Sequence, residues 1–164
     1  IIKPAVGRGG KNILTTNDKS IISLFKKNSK YLVQEYIRGM EFTVDCVFDK
    51  NGHLIFAIPR KRILAQNVSV IGKIVRHKKL IEEIQKISLY LKFYGPINFQ
   101  FVENKKGIWL IEINPRLSGS VIFSIKSGFN PLLISYEIHK NKSITLPKKI
   151  KYNQMHFRFW DSVS

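Results

Sequence analysis

Four side chains could do chemistry together: Gln100 on one short apolar stretch, Glu112 and Asn114 on the next, and Arg116 just past it. Residues 95–119 read as a β-hairpin, because two strand-like runs flank a polar turn at 103–107. Side chains alternate faces along a strand. Phe99, Phe101, Trp109, Ile111 and Ile113 then share one face and form core. The other face carries Val102, Ile108 and Leu110 near the turn, and Asn98, Gln100, Glu112 and Asn114 at the open end. If the loop has an odd number of residues, Gln100 lies opposite Glu112 and Asn98 opposite Asn114. One carboxylate and several carboxamide oxygens on one patch make the hard-oxygen set that Mg²⁺ or Mn²⁺ takes. Arg116 follows where a cation would meet a phosphate. The plain alternative is a hairpin with polar residues on its wet face.

A second set lies near the start. Gly7, Arg8, Gly9 and Gly10 follow a short apolar strand at 1–6. Glycine lets backbone N–H groups approach an anion closely and accepts the backbone angles this needs. A nucleotide-binding P-loop is excluded because Gly-Lys-Ser/Thr is absent at the required spacing. A dinucleotide fingerprint is excluded because Asn12 stands where its third glycine belongs. A glycine hairpin turn remains the alternative.

The elements that must position these residues follow from periodicity. A helix is expected after 11, with Thr15, Thr16 or Asn17 as N-cap and Ile21, Ile22 and Phe25 on one face. Residues 31–37 read as a strand, and Arg38 and Gly39 as a turn. Residues 41–48 alternate, with Phe42, Val44, Cys46 and Phe48 on one face and Glu41, Thr43 and Asp45 on the other. The turn signal at 49–52 sends the chain back as a strand over 53–63. Residues 65–74 have no clear period. Leu80, Ile84, Ile87 and Leu91 recur at helical spacing over 78–91. A helix is expected near 131–139, then a lysine-rich tail from Asn141 with a last strand at 156–160.

Composition bounds the partners. The chain has 164 residues, 44% hydrophobic, with a net charge of +17. That size allows one domain or two small lobes around a cleft. No run of 18 apolar residues exists, so no helix spans a membrane. The single Cys46 cannot form an internal disulfide, which suits a reducing cytoplasm. The positive charge admits a nucleic acid or an anionic ligand. The lysines are scattered and the chain is rich in Ile, Lys and Asn, so composition bias explains much of the charge. The chain opens on Ile1 with no methionine, as a strand entered partway, and reads as part of a longer protein.

Taken in order, these motifs resemble a known family. Lys3-Pro4 before the glycine loop, the segment from Val33 to Asp45, and Gln100 followed by Glu112, Asn114, Pro115 and Arg116 are similar to the ATP-grasp enzymes. The likeness is closest to their carbamoyl-phosphate-synthase-like, carboxylate–amine ligase branch, and it covers roughly residues 1–120.

The resemblance implies an α+β fold of two small lobes of antiparallel sheet plus helices, with a nucleotide cleft between them. The small lobe would be 1–74, with the glycine-rich loop and adenine segment, and the large-lobe portion 75–164. An N-terminal domain of the same protein would lie upstream. Lys3 would meet the triphosphate of ATP under a cover formed by Gly7, Arg8, Gly9 and Gly10. The backbone of Gln34, Glu35, Tyr36 and Ile37 would hold adenine, and Glu41 the ribose hydroxyls, since a carboxylate accepts two hydrogen bonds. Gln100, Glu112 and Asn114 would bind Mg²⁺ or Mn²⁺. Arg116, with Arg60 or Arg62, would face the transferring phosphoryl group. A charged edge strand is the alternative for the two arginines at 60 and 62. The implied activity is ATP-dependent ligation of a small carboxylate and an amine in the cytoplasm, with a homo-oligomer left open. Two rivals remain: a basic nucleic-acid-binding module and a catalytically silent nucleotide-binding domain.

Overall fold

The computed structural model describes residues 1–7, 11–66 and 68–159. The chain divides into two compact units, Ile1–Arg38 and Gly39–Ser164. The lobe boundary expected at 74/75 falls inside the second unit, between two of its elements.

The first unit holds β1 (Ile2–Pro4), α1 (Lys19–Lys26) and β2 (Tyr31–Val33). β1 and β2 pair antiparallel, Ile2 opposite Val33, and Ile2 also bridges to Leu14. The helix is capped by Asp18, whose carboxylate accepts from Ser20 N at 2.8 Å and Ile21 N at 3.3 Å. An aspartate satisfies the orphan N–H groups of a first turn well, and none of the three candidates at 15–17 takes that place. Phe25 meets the edge of Tyr31 with ring centres 4.7 Å apart. The strand expected over 31–37 stops at Val33, where Gln34 N–H reaches the Ile1 carbonyl at 2.8 Å and regular pairing ends.

The second unit is a six-stranded antiparallel sheet. Its strands are β3 (Met40–Phe48), β4 (Leu54–Gln66), β5 (Val68–Ile74), β6 (Gly95–Asn104), β7 (Gly107–Asn114) and β8 (Met155–Phe157), ordered β7-β6-β3-β4-β5-β8. Residues 65–74, without a readable period, thus supply most of β5. Among the described residues three helices accompany the sheet: α2 (Lys78–Ser88), α3 (Val121–Lys126) and α4 (Pro131–His139). Among them α3 was not foreseen in the sequence.

One face of β3 and β6 is apolar from Phe42 to Phe48 and from Ile97 to Phe101. Phe42, Val44, Cys46 and Phe48 of β3 join Ile97, Phe99 and Phe101 of β6 and the buried Leu80 and Ile84 of α2. Burying each such leucine or isoleucine contributes about 1.5–3 kcal/mol. The opposite face changes character along β3: Glu41 is exposed, Thr43 and Asp45 are buried, and Val47 joins Ile58, Ile74, Phe129, Ile134 and Ile138 in a second core under α4. The polar end of that face is the region of interest.

Gly39 is needed for close approach. A Cβ there would run into the Glu103 carbonyl oxygen and Val102 of β6, so the chain enters the sheet through a gap only glycine fits.

Candidate functional site

Register places the polar residues in rows across the sheet. Glu112, Gln100, Thr43 and Arg60 stand opposite one another from β7 through β6 and β3 to β4; in the next row stand Asn114, Asn98, Asp45 and Ile58. Gln100 pairs with Glu112 and Asn98 with Asn114, as the sequence predicts. The means differ from a simple odd loop. Asn104 pairs with Gly107 around a two-residue turn, and the register shifts between Gln100 and Phe101 because Ile111 is an extra residue in β7.

That bulge corrects the expected faces near the turn. Trp109 lies opposite Val102, away from the main core, and Ile108 packs on that core instead. Ile113 keeps its expected place against the core.

Within the second unit, arginines hold the side-chain oxygens of Glu41, Gln100 and Asn114. Arg62 Nη1 lies 3.0 Å from Glu41 Oε2 and 3.5 Å from Gln100 Oε1. Arg116 donates from Nη2 to Asn114 Oδ1 at 3.1 Å and from Nη1 to the Leu117 carbonyl at 3.1 Å. Asn114 is buried and its Nδ2 has no partner. Glu112 is exposed. One carboxylate and two carboxamide oxygens on adjacent strands are the ligand types a hard divalent ion takes, although Gln100 Oε1 and Asn114 Oδ1 here accept from arginines. Among the described residues no group of three or more His, Cys, Asp or Glu could hold a metal.

Arg60 requires a correction. Expected to face a phosphoryl group, it is fully buried. Nη1 lies 2.9 Å from Asp45 Oδ2 and 3.1 Å from Ser124 Oγ, while Nη2 donates to Ser118 Oγ at 3.2 Å and Ser120 Oγ at 3.1 Å. Ser124 Oγ in turn donates to Asp45 Oδ2 at 2.6 Å, and Asn98 Nδ2 donates to Asp45 Oδ1 at 3.1 Å. A desolvated guanidinium needs its charge paired and its N–H groups used; here both terminal nitrogens are satisfied, while the buried Nε has no partner among the described residues. Gly72 makes room for its stem, since a Cβ there would sit 3.0 Å from Arg60 Cδ. The sequence left Asp45 and the three serines unassigned. The alternation of β3 did place Asp45 on the face of Glu41, but the serines carry no local signal.

Two further groups titrate abnormally beside this network. Burial, then the Arg60 charge, lowers the pKa of His156, whose Nε2 lies 2.8 Å from Ser127 Oγ. Burial, reinforced by Asp45, pushes the Cys46 thiol well up, so it is an inert core group.

In the first unit, Lys3 sits on β1 opposite Leu32 and is partly buried; Gly7 is exposed. Arg8, Gly9 and Gly10 lie outside the described residues. Gln34, Glu35 and Tyr36 are exposed and Ile37 is partly buried, all beyond the end of β2.

Residues 27–156 match the family model described as "ATP-grasp in the biosynthetic pathway with Ter operon". The carbamoyl phosphate synthase large chain of Clostridium botulinum (strain Loch Maree / Type A3) is 29% identical over 153 residues, covering 81% of this chain and 14% of that protein. The corresponding chain of Clostridium perfringens (strain 13 / Type A) is 27% identical over 153 residues, with the same coverage of 81% and 14%. This chain therefore spans about one seventh of the curated relatives it matches. Among solved structures, N5-carboxyaminoimidazole synthetase from Staphylococcus aureus, complexed with ADP, superposes with a TM-score of 0.70 at 19% identity, over 94% of this chain and 43% of that one. The biotin carboxylase domain of Hydrogenobacter thermophilus 2-oxoglutarate carboxylase, in complex with MgADP, ADP and bicarbonate, gives 0.58 at 17% identity, over 82% and 32%. These likenesses establish the α+β ATP-grasp fold.

Proposed function

Because this chain belongs to the ATP-grasp family described as "ATP-grasp in the biosynthetic pathway with Ter operon", we propose that it is the nucleotide-binding core of an ATP- and Mg²⁺-dependent carboxylate–amine ligase. The observation that carries this reading is the register that sets Gln100 opposite Glu112 and Asn98 opposite Asn114, with Arg116 two residues beyond.

Gln100, Glu112 and Asn114 are the residues that would hold the metal, which when bound offsets the triphosphate charge. Arg116 Nη groups, already at the rim of this patch, are assigned to the transferring phosphoryl group, and Lys3 to the outer phosphates. Glu41 accepts from the ribose hydroxyls. The backbone of Gln34 to Ile37 takes the adenine edge, and Gly7 to Gly10 cover the phosphates. In the reaction a carboxylate oxygen attacks the γ-phosphorus and the bond to ADP breaks, leaving an acyl phosphate. The amine nitrogen then attacks the acyl carbon, phosphate departs, and the nitrogen loses a proton to solvent. Such chemistry needs positioning and charge rather than a side-chain nucleophile. The curated relatives named above are carbamoyl phosphate synthase chains, which supports a C–N bond-forming ligase.

Calorimetric titration with a non-hydrolysable ATP analogue, with and without Mg²⁺, tests the reading. Saturable binding that strengthens with Mg²⁺ is expected. Polyanion binding that is indifferent to Mg²⁺ and collapses with salt would instead favour a nucleic-acid-binding module.

A further inference from the structure

The buried arginine network links two parts of the polar patch that are far apart in sequence. Asp45 on β3 is gripped by Asn98, the residue opposite Asn114. Arg60 on β4 is gripped by Ser118 and Ser120, which begin two residues after Arg116. The Asp45–Arg60 pair at 2.9 Å closes the circuit. The 115–120 segment is irregular, and besides its own turn bonds it is tied down by these serines and by Arg158, which donates to the Gly119 carbonyl at 2.8 Å.

We propose that Arg60 is a positioning residue: its two terminal nitrogens fix the segment that follows Arg116, and so set where the Arg116 guanidinium stands against the outer phosphates of the nucleotide. This rests on the nucleotide reading above. Full burial keeps any anion from touching Arg60, so it acts only through other groups. Its chemistry suits that task. The planar fork of a guanidinium addresses several acceptors in fixed directions, whereas an ammonium is a compact point charge. Here Nη1 is spent on Asp45 and Ser124 and Nη2 on Ser118 and Ser120, so strand and loop are held by one rigid group. Stability alone does not account for it, since buried ion pairs are commonly replaced by apolar residues without loss.

The test compares Mg²⁺–ATP analogue and AMP binding by calorimetry, together with thermal melting. Arg116→Ala serves as reference, and is expected to lower the preference for ATP over AMP by about tenfold, the scale of one charge-assisted hydrogen bond. The double variant Arg60→Met/Asp45→Asn removes both buried charges together. It should melt below the parent chain, because buried Ser118, Ser120 and Ser124 lose their partner, but still fold, and it should lose the ATP preference by a similar factor. Adding Arg116→Ala to it should cost little more, because the two act on one contact. A folded double variant with the parental ATP preference would overturn the proposal. Should that variant not fold, Ser118→Ala/Ser120→Ala cuts the loop from the guanidinium and leaves Asp45 paired; an unchanged preference there overturns it equally. If the parent chain shows no ATP preference, or Arg116→Ala leaves it unchanged, the nucleotide reading itself fails and the role of Arg60 falls with it.

Discussion

Gln100 and Glu112 face each other across β6 and β7, and their pairing requires that the extra residue Ile111 be set out of the ladder as a bulge. The turn from Asn104 to Gly107 is two residues long. An unbroken ladder from that turn would set Gln100 opposite Ile111, and Glu112 would lie against Phe99 on the apolar face. The bulge returns Glu112 and Asn114 to the polar side, because one added residue reverses every side chain beyond it. Bulges often aim a side chain beside a functional site.

Deleting Ile111 removes the bulge, so an unbroken ladder from the two-residue turn sets Glu112 opposite Gln100 directly, and both the fold and the Mg²⁺ dependence of nucleotide binding should survive. Titration at zero and millimolar Mg²⁺, with thermal melting, reads both. A folded deletion variant that has lost its Mg²⁺ dependence would show that the local geometry of the bulge, and not the register alone, places the metal donors.

What was legible in the sequence was whatever repeats locally. The period-two run Phe42, Val44, Cys46, Phe48 and the helical spacing of Leu80 and Ile84 both landed in one core. The polar pairing at Gln100 and Glu112 was legible as well, but not its cause, because an odd loop and an even turn plus a bulge give the same register. Arg60 was misread for a different reason. Arginine usually lies at the surface, and its counter-charge is 15 residues away while the serines are 58 to 64 away, so nothing near it in the chain signals burial. β5 escaped notice because Gly72 interrupts its alternation to make room for the Arg60 stem.

Gly72→Ala tests that packing. The new methyl would lie 3.0 Å from Arg60 Cδ and 3.2 Å from Phe123 Cδ2, and Arg60 cannot shift without loosening its four hydrogen bonds. A loss of about 1–3 kcal/mol in urea denaturation is expected. Unchanged stability would mean that the stem has slack.

His156 should make stability depend on pH. Its folded-state pKa is lowered by burial and by Arg60, so the fold favours the neutral ring. Between that lowered value and the ordinary value near 6.5, the unfolded chain binds more protons than the folded one. Stability then rises with pH in this window, is full above it, and is lost as pH falls below the ordinary value. The melting-temperature gap between the parent chain and His156→Gln should narrow as pH drops from about 8 to about 5. A gap that stays constant or widens would contradict the lowered pKa.

Lys3 and Glu41 should be separable by ligand. Lys3→Ala should weaken ATP more than AMP, because Lys3 is assigned to the outer phosphates. Glu41→Ala should weaken both alike, since ribose is common to them, although it also frees Arg62 from its 3.0 Å contact. Each loss should be about tenfold or more. Equal losses of ATP and AMP in both variants would break the assignment of roles.

Glu112 is the carboxylate on which the metal reading turns. It stands exposed on edge strand β7, opposite Gln100, and among the described residues it forms no ion pair. Glu112→Gln keeps the size and removes the charge. The fold should survive, because the core beside it is made by Phe99, Ile113 and their neighbours on the other face. Mg²⁺–ATP analogue binding should fall by about tenfold, the scale of losing a charged ligand group. Metal-free nucleotide binding should hold steady or improve, because a negative charge near the phosphates is gone. A surface residue with no role predicts no change in either measurement, and a structural one predicts a lower melting temperature. Melting curves and titrations at zero and millimolar Mg²⁺ separate the three cases. A folded variant with unaltered Mg²⁺ dependence would remove the metal site from the reading.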